Sequence, residues 1–202
     1  MSKPTTIAIA IKNWEEKNQK KAAEVEEIKL ICQIPPIEKM DAGLQQLKHI
    51  RNLSLSTNRI DKIANLSGFE HLELLSLGRN LLKKIEGLDA VSGTLKTLWL
   101  SYNSIAQLSG VLCCKRLQCL YIAHNNISSW DEISKLGELP ELSDVSFVGN
   151  PIQTSNPGQY KQMVLTKLPN VTKLDGALMA GDSADENPEQ TPSPGPSPSG
   201  GA

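Results

Sequence analysis

The chain has 202 residues, 39% of them hydrophobic but only 4% aromatic, and a formal net charge of −1. That balance excludes the broad basic surface expected of a nucleic-acid binder, and no run approaches the roughly 20 apolar residues of a membrane span. The scarcity of rings favours a core layered from Leu and Ile. Charge is unevenly placed: residues 181–202 hold Asp182, Asp185, Glu186 and Glu189 with no Lys or Arg, which leaves +3 on the first 180 residues.

In chain order, the apolar stretch Ile7 to Ile11 is too short for the apolar region of a secretory signal. A reducing cytosol is therefore expected, with the Asn-x-Ser/Thr strings at Asn52, Asn65, Asn126 and Asn170 unmodified. Thr5 or Thr6 caps a predicted helix running to about Lys20, with Ile7, Ile11 and Trp14 on one face. A second helix is predicted over Glu24 to Cys32, where Val25, Ile28, Ile31 and Cys32 form a stripe, and Pro35 and Pro36 stop it. Residues 1–36 read as a helical N-terminal cap.

Residues 37–152 carry one string five times over. Leu95, Leu98, Leu100, Asn103 and Ile105 fit L-x-x-L-x-L-x-x-N-x-L, the core of a leucine-rich repeat. Ile50, Leu53, Leu55, Asn58 and Ile60 make an earlier copy, followed by Leu72, Leu75, Leu77, Asn80 and Leu82. Leu117, Leu120, Ile122, Asn125 and Ile127 come next, then Leu142, Val145, Phe147, Asn150 and Ile152. The asparagines Asn58, Asn80, Asn103, Asn125 and Asn150 step by 22, 23, 22 and 25 residues. The fold class is thus α/β: a right-handed leucine-rich-repeat solenoid with a short parallel sheet on its concave side and helical caps at both ends. Positions 4 and 6 of each copy point inward, position 5 points out, and the asparagine amide turns in to satisfy backbone groups at the bend. The fourth repeat is long, and a helix is predicted there from about Ser129 to Leu136.

Residues 153–176 read as a C-terminal helical cap: Ser155 or Asn156 precedes a helix opening at Pro157 and burying Tyr160, Met163, Val164 and Leu168. Residues 177–202, ending PSPGPSPSGGA, read as a disordered acidic tail.

Motifs for chemistry are missing from the sequence. It contains no phosphate-cradling glycine loop, no nucleophile elbow and no H-E-x-x-H helix. His49, His71 and His124 lack metal-ligand spacing to Cys32, Cys113, Cys114 and Cys119, so neither metal nor cofactor is expected. Cys119 and His124 fall in one repeat, but five residues along a strand and turn do not supply nucleophile–base contact, and no enzyme is expected.

A surface remains. The outward positions 3, 5, 7 and 8 give Leu74, Ser76, Arg79, Thr97, Trp99, Tyr102, Cys119, Tyr121, His124, Asp144 and Val148 as a candidate protein-binding set. Trp99 and Tyr121 share position 5 of neighbouring strands and should lie side by side, where a free sheet has no structural need for rings.

Specific wording goes beyond the repeat. IPPIEKMD (34–41), LSLSTNRIDKIANL (53–66), LSLGRN (75–80), LWLSYN (98–103) and FVGNP (147–151) resemble the leucine-rich-repeat light chain of axonemal outer-arm dynein, as does PTTI (4–7) with the WEEK string at Trp14. The resemblance covers about residues 5–176. It implies a non-catalytic subunit, monomeric on its own, that docks its sheet face on the microtubule-binding stalk head of a dynein heavy chain. Trp99 and Tyr121 would carry the contact, tubulin is a further candidate partner, and the ciliary or flagellar axoneme is the setting. A leucine-rich-repeat adaptor or phosphatase-regulatory scaffold is the alternative. Relatives with basic residues after the KLDG cap differ from this chain, whose tail has none.

Overall fold

The computed structural model describes residues 3–179. Helix α1 spans Ile7–Asn18 and buries Ile7, Ala10 and Ile11, with Trp14 packed at the margin of the core. Thr6 caps it, its hydroxyl accepting from the Ile9 amide at 3.3 Å, and Gln19 in the left-handed region ends it. The Asp41 carboxylate accepts from the Ile7 amide at 3.1 Å and so ties the helix start to the solenoid.

Eight short strands follow in sheet order: β1 Glu27–Lys29, β2 Asn52–Ser54, β3 Leu74–Ser76, β4 Thr97–Trp99, β5 Cys119–Tyr121, β6 Asp144–Ser146, β7 Lys173–Leu174 and β8 Ala177–Leu178. The first seven are parallel, and β8 returns antiparallel to β7. The register is constant, so Leu53, Leu75, Leu98, Leu120 and Val145 fall in one line. All five are fully buried and stack with Leu55, Leu77, Leu100, Ile122 and Phe147. Each such side chain contributes roughly 1.5–3 kcal/mol by leaving water.

The asparagine ladder takes the inward place expected of it. In every coil Nδ2 donates to the position-6 carbonyls of its own and the preceding coil. For Asn80 these are Leu77 at 3.0 Å and Leu55 at 3.1 Å, and for Asn150 they are Phe147 and Ile122, both at 2.9 Å. Oδ1 accepts from the amide of the position-11 residue one coil back: Ile37, Ile60, Leu82, Ile105 and Ile127 in turn. Just before each asparagine the chain turns through the left-handed region, at Thr57, Arg79, Tyr102, His124 and Gly149, with φ between 52 and 72°. Four of these five are not glycine, a cost of about 1–2 kcal/mol each that the amide bonds on either side outweigh.

On the convex side the chain closes each coil mostly with single 3-10 turns, such as Asp89–Val91 and Ser109–Val111. The long fourth repeat forms α2, Trp130–Lys135, capped by Ser129. Short helix α3, Pro151–Thr154, leads to α4, Pro157–Lys167, which buries Tyr160 and Val164. Asp175 accepts from the Phe147 amide and the Tyr160 hydroxyl, both at 2.8 Å, and fastens this cap to the last coil.

Two expectations need correction. Residues 24–32 are not helical: a 3-10 turn at Ala22–Glu24 passes directly into β1. The apolar residues there fit both periods, but Ile28 and Leu30 alternate inward as strand residues do. The exposed edge of β2 decides between the two, because an extended segment satisfies it: the Leu30 amide donates to the Ser54 carbonyl at 2.8 Å and the Arg51 amide to Glu26 at 2.7 Å. The array therefore starts one coil before Ile37, and α1 alone covers its end. Ala177 and Leu178, expected in the disordered tail, instead pair with β7. The remainder of that tail, 180–202, lies outside the described residues.

Candidate protein-docking face

The outer side of the sheet is read coil by coil, because a constant register places like positions side by side. At position 5, Trp99 and Tyr121 stack with ring centroids 6.0 Å apart and planes 7° from parallel. Trp99 is 39% exposed, although nothing in the solenoid requires a ring there. Tyr121 is held from below. Its hydroxyl donates to Asp144 Oδ2 at 2.8 Å, and Lys173 Nζ lies 3.1 Å from the same oxygen. Burial, then the Asp144 carboxylate, raise the Tyr121 pKa, and Asp144 holds Lys173 protonated above its usual range. The phenol thus stays neutral with its ring fixed, and the indole has a rigid neighbour to lie along.

A second stack runs along position 8. The Arg79 guanidinium sits 4.0 Å over the Tyr102 ring, and Tyr102 stacks on His124 with centroids 4.4 Å apart. Gly149 closes the column: a Cβ there would stand 2.4 Å from His124 Nδ1, so only glycine lets the next coil approach the imidazole. The shared left-handed backbone at position 8 aligns the three planar groups, and Tyr102 remains 43% exposed.

Toward the first coils the face is built of small groups. Ser56 and Ser76 hydroxyls bond each other at 2.7 Å, and Ser76 is buried, so it forms floor rather than protruding contact. With Ser54 and Leu74 these residues line a hollow of about 350 Å³ that ends against Trp99. Leu74, Thr97, Cys119 and Asp144 occupy position 3 of successive strands, each half-buried, and Val148 is half-buried at position 7. The face therefore offers a shallow apolar recess, a ring wall and a cationic–aromatic rim. Such an arrangement suits gripping a protein: aromatic and Arg anchors flank a recess that can exclude water.

The surroundings of Cys119 and His124 do not favour a reactive pair. Burial, then Asp144, push the Cys119 thiol above its ordinary range, which disfavours the thiolate, and His124 is engaged by Tyr102. Among the described residues, no three His, Cys, Asp or Glu side chains converge as metal ligands.

Sequence reasoning missed three members of the face. Lys173 lies in what reads as a cap, yet it holds position 3 of β7 beside Asp144. Lys29 and Ile31 belong to the coil taken for a helix. The places of Arg79, Tyr102 and His124 were legible, since each precedes a ladder asparagine, but their stacking was not.

A family profile described as Leucine Rich repeats (2 copies) matches residues 93–135. Dynein axonemal light chain 1 of Xenopus laevis is 48% identical over 191 residues, spanning 94% of this chain and 100% of that protein. The protein of the same name from Chlamydomonas reinhardtii is 48% identical over 181 residues, covering 87% of this chain and 91% of its own. Among solved structures, a chain of the Drosophila melanogaster SNF/U2A′ complex aligns with a TM-score of 0.52 at 24% identity, over 60% of this chain and 70% of that one, a likeness of fold alone.

Proposed function

The chain belongs to the dynein axonemal light chain 1 family, and from that premise we propose that it is a non-catalytic subunit that docks its concave sheet on the motor region of an outer-arm heavy chain. The stalk head that meets the microtubule is the intended seat, and the axoneme of a cilium or flagellum the location. Docking there would tether or tune the motor on its track. One observation carries this reading: Trp99, stacked on a half-buried Tyr121, stands in the open on a sheet whose interior already satisfies the fold. Rings exposed without structural need are the usual anchors of an interface.

The rest of the candidate set takes roles around that anchor. Leu74 and Ser76 form the recess, Thr97, Cys119 and Val148 its half-buried surround, and Arg79, Tyr102 and His124 the rim. Asp144 orients Tyr121 rather than touching the partner first.

Purified chain and a recombinant heavy-chain stalk head should form a one-to-one complex by titration calorimetry. Trp99→Ala should weaken it about a hundredfold, in line with the roughly 2–4 kcal/mol typical of a central aromatic anchor. Undiminished binding by that variant would refute the face; no binding by the parent chain would refute the partner.

A further inference from the structure

The docking face extends past the repeats. Ile31, following β1, is 42% exposed and borders two hollows at once. One is the recess of about 350 Å³ that ends at Trp99; the other, about 330 Å³, lies between the first coil and α1 and is lined by Trp14, Lys17 and Gln33. Lys29 borders both. An open trough therefore crosses the sheet from one indole, Trp14, over Ile31 and Leu74 to the other, Trp99.

We propose that this trough is a single groove for an amphipathic helix of the heavy chain, with an apolar stripe flanked by carboxylates. The inference rests on the heavy-chain reading above. Four observations select that occupant. The trough is continuous with the ring face. It runs across the strands over side chains, whereas an added strand would lie along an edge. Three strand spacings of ~4.8 Å plus the width of α1 give roughly 24 Å, about 16 residues of helix at 1.5 Å each. At the α1 end Lys29 is already paired with Glu27 at 2.8 Å, and Lys17 supplies the further cation that an acidic group beside the stripe complements.

The test uses the full chain and the same stalk-head titration. Ile31→Ser, at a half-exposed position, should weaken binding about tenfold. Lys17→Glu should weaken it three- to fivefold, with a loss that shrinks as salt is raised. Both should melt with the parent. Parental affinity in both variants, while Trp99→Ala still weakens binding about a hundredfold, overturns the groove and leaves the heavy-chain reading standing. Failure of the parent to bind the stalk head overturns both. A parent dimer that Ile31→Ser dissolves in sedimentation would assign the groove to a second copy, which also overturns the proposal.

Discussion

The asparagine spine and the ring-bearing face run through the same coils, within a few residues of each other, and differ in how strictly they repeat. Along the spine, five amides make the same three kinds of bond, each within 2.9–3.1 Å. On the face the period lapses: position 5 reads Lys29, Ser54, Ser76, Trp99, Tyr121, Ser146, with one neighbouring pair alike. Stacking forces the first to be uniform, because one wrong amide leaves a buried backbone amide of the preceding coil without its acceptor. It places no such demand on the second. Where a repeat protein abandons its period, the departures mark what is used rather than what holds it up.

That separation can be attacked from both sides. Trp99→Ala should weaken binding about a hundredfold and leave the melting temperature within about 1–2 °C, since surface changes usually stay within about 0.5 kcal/mol. Asn150→Ser should do the reverse. Its amide is fully buried, and without it the Ile127 amide loses its acceptor, while the Ile122 and Phe147 carbonyls keep other donors. An orphaned buried amide costs about 1–3 kcal/mol, or on the order of 4–8 °C for a chain of this size at the middle of that range. Affinity per folded molecule should not change. A Trp99 variant that melts early, or an Asn150 variant that folds well but binds poorly, would merge the two regions.

Gly149 lies on the seam between them and should respond to both. A side chain there pays for φ of 72° and drives into the His124 ring. Gly149→Ala should cost roughly 1–3 kcal/mol. In a His124→Ala background only the backbone penalty of about 1–2 kcal/mol should persist. A thermal-melt double-mutant cycle with a coupling near zero would mean that the position-8 column is loose and not part of a rigid rim.

The spine was legible in the sequence because its regularity is itself the signal: Leu98, Leu100 and Asn103 recur at fixed offsets in every coil. Trp99 and Tyr121 could be paired from register alone. The first coil was not legible. Ile28, Leu30 and Ile31 satisfy a helical and an extended period alike over so few residues, and only the unpaired edge of β2 decides between them. Lys173 stayed hidden because Leu174 fills an inward position without a ladder asparagine after it. The Arg79–Tyr102–His124 stack depends on a left-handed backbone in residues that rarely adopt it, so their shared direction appears only in three dimensions.

The smallest expected effect concerns a third column, at position 2, that repeats in sign but not in residue. Arg51 Nη1 lies 2.9 Å from Glu73 Oε1, and Lys96 Nζ lies 3.0 Å from Oε2, with Glu26 beyond Arg51 at 3.4 Å. The Lys96 bond, with the charges of Lys96 and Arg51 added to it, holds the Glu73 carboxyl below its usual range against an opposing cost of burial. A depressed carboxylate adds stability above its unfolded pKa near 4.5, and that stability is lost as pH falls through the lower folded value. Glu73→Gln should therefore lower stability at pH 7 and match the parent once pH is below both values. With about a third of each side chain still in water, the difference should stay under about 1 kcal/mol and shrink with salt. A larger loss, or one insensitive to pH, would mean that these charges brace the coils as the asparagines do. The small, screened loss expected here fits a column that sets the register of neighbouring strands, since a slip by one coil would set Glu26 against Glu73 and a slip by one residue would set Glu73 against Leu95 or Thr97 in place of Lys96.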